Sequence, residues 1–175
     1  MALRFSTGLR NYLLGTGDLV TGLNGGILRI YSGALPTVDN GSGPVISADG
    51  AALNTACLAK IYSDGGVAGG TLSFATPLAG ATSISKTGAT WDNSVEKNLV
   101  GGTATYFIYA CDAAEASGDI AESTTAKRIL GTVGGAGSGA DLIVSNTVLE
   151  GPTPGPAGVQ AINSFVISIP ESVGN

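Results

Sequence analysis

The chain has 175 residues, a formal net charge of −5, no histidine and 28 glycines, with 12% charged and 43% hydrophobic residues. That hydrophobic share excludes bulk disorder, which needs low hydrophobicity and high charge. The missing histidine excludes Ser-His-Asp triads, Cys-His pairs and histidine-ligated zinc, and the acidic balance opposes the basic stripe that nucleic-acid binders use to neutralise phosphates.

The length suits one domain able to bury a sizeable core. Ala, Val, Ile and Leu with Thr and Ser beside them fit half-buried pleated surface, and glycine serves turns. Met1-Ala2-Leu3-Arg4 begins no signal peptide, because no apolar core follows it. No apolar run approaches the ~18 residues that span a bilayer. The expectation is a protein made in a reducing cytosol, with Cys57 and Cys111 as buried thiols.

In chain order, the first predicted element is a helix. Ser6 can cap it, and Leu9, Leu13 and Leu14 fall at helical spacing before Gly15-Thr16-Gly17. Asp18 caps a short second turn over Leu19 to Leu23, which Asn24-Gly25-Gly26 ends. A strand covers Ile27 to Tyr31. Turn chemistry runs from Thr37 to Ala51 around Asp39-Asn40-Gly41-Ser42-Gly43-Pro44. Strands follow at Thr55 to Tyr62, Thr71 to Phe74, Ala81 to Ser85 and Thr90 to Val95.

Thr103 to Cys111 is apolar on both faces, as an interior strand is. Ala104, Tyr106, Ile108 and Ala110 are expected on one side, with Thr105, Phe107, Tyr109 and Cys111 on the other. A polar loop spans Ala113 to Thr125. Lys127 to Val133 and Asp141 to Ser145 read as strands joined by a flexible glycine-rich hairpin loop. After the Gly151-Pro152-Thr153-Pro154-Gly155-Pro156 loop, Val159 to Ile169 forms the last strand. Tyr31, Tyr62 and Tyr109 each close an Ile-Tyr pair, which predicts tyrosines at sheet rims with hydroxyls in water. Many short strands between Gly and Pro turns predict a mainly β fold, an antiparallel β-sandwich of jelly-roll type with a short N-terminal helical segment.

Motifs with chemical meaning are few. Ser83-Ile84-Ser85-Lys86 and Lys86-Thr87-Gly88 match penicillin-binding patterns but share one lysine, where that chemistry needs two. Lys86 therefore reads as a solvated turn residue. Gly135-Ala136-Gly137-Ser138-Gly139-Ala140 has dinucleotide-binding spacing, yet Asp141-Leu142-Ile143-Val144 continues as strand rather than the required helix. Asp119 with Glu122, and Asp92 with Glu96, lie in Ser/Gly-rich stretches where solvated charge is the expectation. Asp39-Asn40-Gly41 and Asp64-Gly65 lack the full spaced ligand set of a calcium loop. Asn40-Gly41-Ser42 is a glycosylation sequon in form alone. Trp91 suits core packing beside a strand end or, alternatively, an interface anchor. No catalytic, cofactor-binding or metal-binding residue is expected, and no cofactor.

The strings Leu3-Arg4-Phe5-Ser6-Thr7-Gly8-Leu9-Arg10-Asn11 and Gly26-Ile27-Leu28-Arg29-Ile30-Tyr31-Ser32-Gly33-Ala34-Leu35-Pro36 resemble small virion proteins of tailed bacteriophages. Gly102-Thr103-Ala104-Thr105-Tyr106-Phe107, Gly131-Thr132-Val133-Gly134 and Ser164-Phe165-Val166-Ile167-Ser168-Ile169-Pro170 fit the same group. The resemblance implies a non-enzymatic part of the particle, made in the host bacterial cytoplasm. A capsid decoration (cement) protein fits best, bridging capsomers outside the shell. Its partners would be the major capsid protein and copies of itself, with no direct nucleic acid and no membrane.

A tail-tube or tail-tip subunit is the structural competitor, set back because no long hairpin is visible. A carbohydrate-binding module would need exposed aromatics that 6% aromatic content supplies poorly. Residues 1–25 are expected to form an attachment segment outside a β-sandwich of residues 26–175. Arg4, Phe5, Leu9, Arg10 and Tyr12 are its candidate interface, since basic residues on an acidic subunit suit docking to an acidic neighbour.

Overall fold

The computed structural model describes residues 3–15, 17–35, 57–63, 70–78, 82–95, 98–111, 123–151 and 158–168. The expected turns over 37–51, most of the polar loop (113–122) and the proline loop (152–156) lie outside the described residues, as do Asp39, Asn40, Gly41, Asp64, Gly65, Glu96, Asp119 and Glu122.

The chain enters as a two-residue strand, β1 (Arg4–Phe5), and turns into α1 (Thr7–Gly15). Ser6 makes that turn. Its hydroxyl accepts the Leu9 N–H at 3.1 Å, which caps the helix, and the Arg128 N–H at 2.9 Å, while donating to the Ala126 carbonyl at 2.7 Å. The cap thus doubles as a tie to a distant strand. Asp18 caps α2 (Leu19–Leu23) as its spacing predicts, accepting the Thr21 N–H at 2.9 Å.

Strands β2 (Ile27–Tyr31), β3 (Cys57–Ser63), β7 (Tyr106–Ala110) and β8 (Arg128–Gly134) form the body of the molecule. They belong to a seven-stranded sheet ordered β1-β8-β7-β2-β3-β5, with β5 at Trp91–Asp92 and with β9 (Leu142–Ile143) also paired to β8. Strand β7 occupies one edge of β8, so β1 and β9 divide the other, at Ile129–Leu130 and Val133–Gly134. Two ribbons complete the described strands: β6 (Gly102–Thr103) with β10 (Val148–Leu149), and β4 (Ser83–Ser85) with β11 (Val166–Ser168).

Alternation along the central strands divides their side chains between two clusters. The larger holds Leu28, Ile30, Phe107, Tyr109 and Ile129, covered by Leu9, Leu19 and Leu23 of the helices and by Phe74, Ile84, Phe165 and Ile167. The smaller holds Tyr31, Tyr106, Ile108, Ala110 and Leu130. Among the described residues the protein is therefore mainly β, with largely antiparallel sheets, two short helices and a sandwich-like core, as its composition and turn spacing predict.

Several expectations need correction. The run from Thr103 to Cys111 is two strands. Ala104 N–H goes to Thr147 and Thr105 N–H to Tyr31, so the chain changes sheets there, and Ala104 joins the larger cluster rather than the face of Tyr106. Strand β9 runs parallel to β8, so the glycine loop between them is no hairpin. Asp141 turns the chain back by accepting the Thr132 N–H and hydroxyl, both at 2.8 Å, while Gly137 and Gly139 adopt positive φ of 79° and 70°.

Thr71 to Phe74 contributes only isolated bridges at Leu72 and Phe74, and Thr90 to Val95 contributes two strand residues. Within Val159 to Ser168, the strand is confined to Val166–Ser168. The three tyrosines sit inside rather than at rims: Tyr31 stacks on Tyr106 with centroids 5.1 Å apart, Tyr62 is buried, and the Tyr109 hydroxyl donates to the Leu23 carbonyl at 2.8 Å. Cys111 is buried and Cys57 half-buried, and both remain thiols.

Candidate interaction surface

The N-terminal segment is built into the domain rather than set outside it. Strand β1 pairs with β8, and Leu9, Leu19 and Leu23 belong to the main core. Of the five candidate interface residues, Leu9 is fully buried and unavailable to a partner. Arg4 and Phe5 are half-buried in β1. Tyr12 is half-buried too, with the Lys127 ammonium 4.8 Å from its ring centroid. Arg10 alone of the five is exposed, and its guanidinium donates to the Thr7 hydroxyl at 3.1 Å.

The helix period explains this split. Leu9 and Leu13 lie on the stripe facing the core, whereas Arg10 and Leu14, one turn apart, point outward. Leu14 is 87% exposed. Just beyond α1 the surface opens into a cleft of about 190 Å³ lined by Leu19, Val20, Pro77 and Ile84, with Asp18, Thr82 and Ser83 also lining it. Hydrogen bonds from the Thr21 hydroxyl and N–H hold the Asp18 carboxyl below its ordinary range, so it is anionic at neutral pH. Leu78, next to Pro77, is 85% exposed.

A second, wider groove of about 560 Å³ runs between β9 and the approach to β11, where Ile143 and Val166 stand exposed beside Asp141, Asn163 and Ser164. Its neighbour, about 310 Å³, contains Lys86. Lys86 is half-buried rather than a free turn lysine: it donates to the Thr87 and Ala89 carbonyls at 3.2 and 2.9 Å and lies 5.8 Å from the Trp91 ring centroid. Trp91 itself packs edge-on to Phe74 at 5.4 Å and near Phe165 and Tyr109. That burial settles it as core.

Polar groups that the sequence left unremarked serve the scaffold. The buried Asn93 amide donates to Asn98 Oδ1 at 2.9 Å, Asn93 Oδ1 accepts the Gln160 N–H at 2.6 Å, and the Asn98 amide donates to the Glu150 carbonyl at 2.8 Å. These bonds clamp three separated segments. Asp92 accepts from Ser94 N–H and hydroxyl at 3.0 and 2.9 Å as a local turn. Arg29 and Arg128 are both buried. The adjacent Lys127-Arg128 pair therefore splits, one cation over Tyr12 and the other inside, because neighbouring residues of an extended chain face opposite ways. Burial pushes the Tyr109 hydroxyl well above its ordinary pKa.

No family model matches this chain, and no curated protein or solved structure is significantly similar to it.

Proposed function

We propose that this protein is a non-enzymatic virion subunit of a tailed bacteriophage, a decoration protein on the outer capsid that bridges capsomers and stiffens the head. The observation that carries this reading is the character of its surface. Leu14, Leu78, Val95, Leu99, Val100, Ile143, Val148 and Val166 are exposed on one helix, on loops and on short strands around a closed core. Large apolar side chains displayed this way, in a chain with 12% charged residues, suit a surface covered by neighbours. Loops and helix exteriors are also what a sandwich has to offer, since its strand interiors form its own core. The resemblance of the N- and C-terminal strings to phage virion proteins supports the same reading.

Bridging works by opposing the separation of two neighbours, so each subunit needs more than one contact. Many identical sites on a shell let individually weak contacts persist. Reconstruction of the particle tests this directly. Copies spread over the shell, and reduced heat resistance of particles lacking the protein, are the expected result. Stacked rings in the tail, or normal heads with missing or misassembled tails, would overturn it in favour of a tail subunit.

A further inference from the structure

We propose that two copies of this chain pair through a reciprocal contact in which Leu14 of each enters the cleft beside α2 of the other and Arg10 of each meets the other's Asp18. This names the surface for the self-association contained in the reading above, and it rests on that part of it alone. Arg10 and Leu14 are successive exposed residues on the outer stripe of α1. The cleft is lined chiefly by Leu19, Val20, Pro77 and Ile84 and measures about 190 Å³. Apolar cavities of about 150 Å³ take up benzene, so the cleft has room for a leucyl side chain.

Charge orders the same two features. Arg10 uses one of its guanidinium nitrogens on Thr7, and a guanidinium carries five N–H donors in all. Asp18, at the mouth of the cleft, receives one bond from Thr21 on each carboxylate oxygen, and each oxygen has a further lone pair. A cation one helical turn before the leucine therefore faces an anion at the edge of the apolar hole. Leu14 and Asp18 are four residues apart, so they lie within about 14 Å of one another. Each molecule presents knob and hole side by side, the self-complementary patch that a two-fold axis requires.

The test is the association state of the full chain by sedimentation equilibrium, with three single variants. The wild type should dimerise. Leu14→Ser removes the knob and Thr82→Trp, at an exposed position of the cleft wall, blocks the hole; each should weaken the dimer at least about tenfold. Asp18→Asn keeps a good helix cap while removing the charge, and should cost a few-fold with a flatter salt dependence, as exposed ion pairs do.

The deciding measurement is the mixture. The Thr82→Trp copy still offers its leucine to the open cleft of the Leu14→Ser copy, so labelled samples of the two should associate more tightly with each other than either does with itself. A wild type that stays monomeric up to about 1 mM, the range of weak binding, overturns the proposal. So do variants that dimerise like the wild type, or a mixture with no preferred pairing. None of these results would alter where the protein sits on a particle, so failure here and failure of the virion reading are separable.

Discussion

Phe107 and Gly131 face each other across β7 and β8, and the space between them predicts a measurable coupling. A Cβ placed on Gly131 would stand 2.6 Å from Phe107 Cε1 and 2.8 Å from Cζ, where ordinary contact begins near 3.4 Å. The ring has no easy retreat, being fully buried and edge-on to Phe165 at 5.4 Å. Gly131→Ala should therefore overpack the core and cost about 1–3 kcal/mol. Phe107→Ala opens a cavity and should cost about 3–5 kcal/mol. In the double variant the clashing ring atoms are gone, and the far end of Leu3, 2.8 Å from the added carbon, belongs to a side chain that can move. Its cost should fall below the sum of the singles by about 1–3 kcal/mol. Urea unfolding followed by the fluorescence of the single tryptophan, buried in the aromatic cluster, reads each value from its midpoint and slope. Additivity within about 0.5 kcal/mol would refute the shared-space argument. A Phe107→Ala loss below about 1 kcal/mol would refute the central placement of β7.

The N-terminal helix offers a paired test: Leu9→Ala should cost about 2–5 kcal/mol, while Arg10→Ala on the outer stripe should stay within about 0.5. Equal small losses in thermal or urea unfolding would return the segment to the surface. Tyr109→Phe removes the donor to the Leu23 carbonyl and should cost about 1 kcal/mol. Because burial raises the folded pKa of Tyr109 above its unfolded value near 10, its stabilising contribution is whole below that value and is lost as pH rises through the folded pKa. Alkaline unfolding should expose its tyrosinate absorbance, and that component should vanish in Tyr109→Phe; ionisation of Tyr109 at an ordinary pKa in the folded protein would contradict its placement.

What could be read in the chain follows from how local each signal is. Both helices were legible because Ser6 and Asp18 are strong caps and Leu9 and Leu13 mark a 3.6-residue stripe. β2, β7 and β8 were legible because each is rich in β-branched, aromatic and other large apolar residues, which outweigh the single arginines in β2 and β8. Strands β1, β6 and β10 have two residues each, too few to show alternation, and are fixed by partners far away in sequence. The sheet change at Ala104 and the parallel return of β9 depend on a few specific hydrogen bonds, from Ala104 to Thr147, from Thr105 to Tyr31 and between Asp141 and Thr132, which no local pattern announces. Tyrosine position cannot be read without the acceptor, which for Tyr109 lies 86 residues away.

The candidate interface failed in part for the same reason, and the way it failed is informative. The candidate residues lie close together in sequence, but a helix separates neighbours by about 100°. Leu9 turned inward and Arg10 outward, and Leu14, which shares the leucine spacing of the helix, is the most exposed of the large apolar residues among those described. An interface built around it would be held mainly by apolar burial, which salt does not screen, with the Arg10–Asp18 pair supplying register more than affinity. Leu99 and Val100 follow the β5 region and are tied to the Leu58 carbonyl of β3, while Val148 lies on β10. These belong to elements other than the two helices. On the proposed reading, a subunit that pairs through its helical end keeps those side chains for the shell, which is the division of contacts that bridging requires.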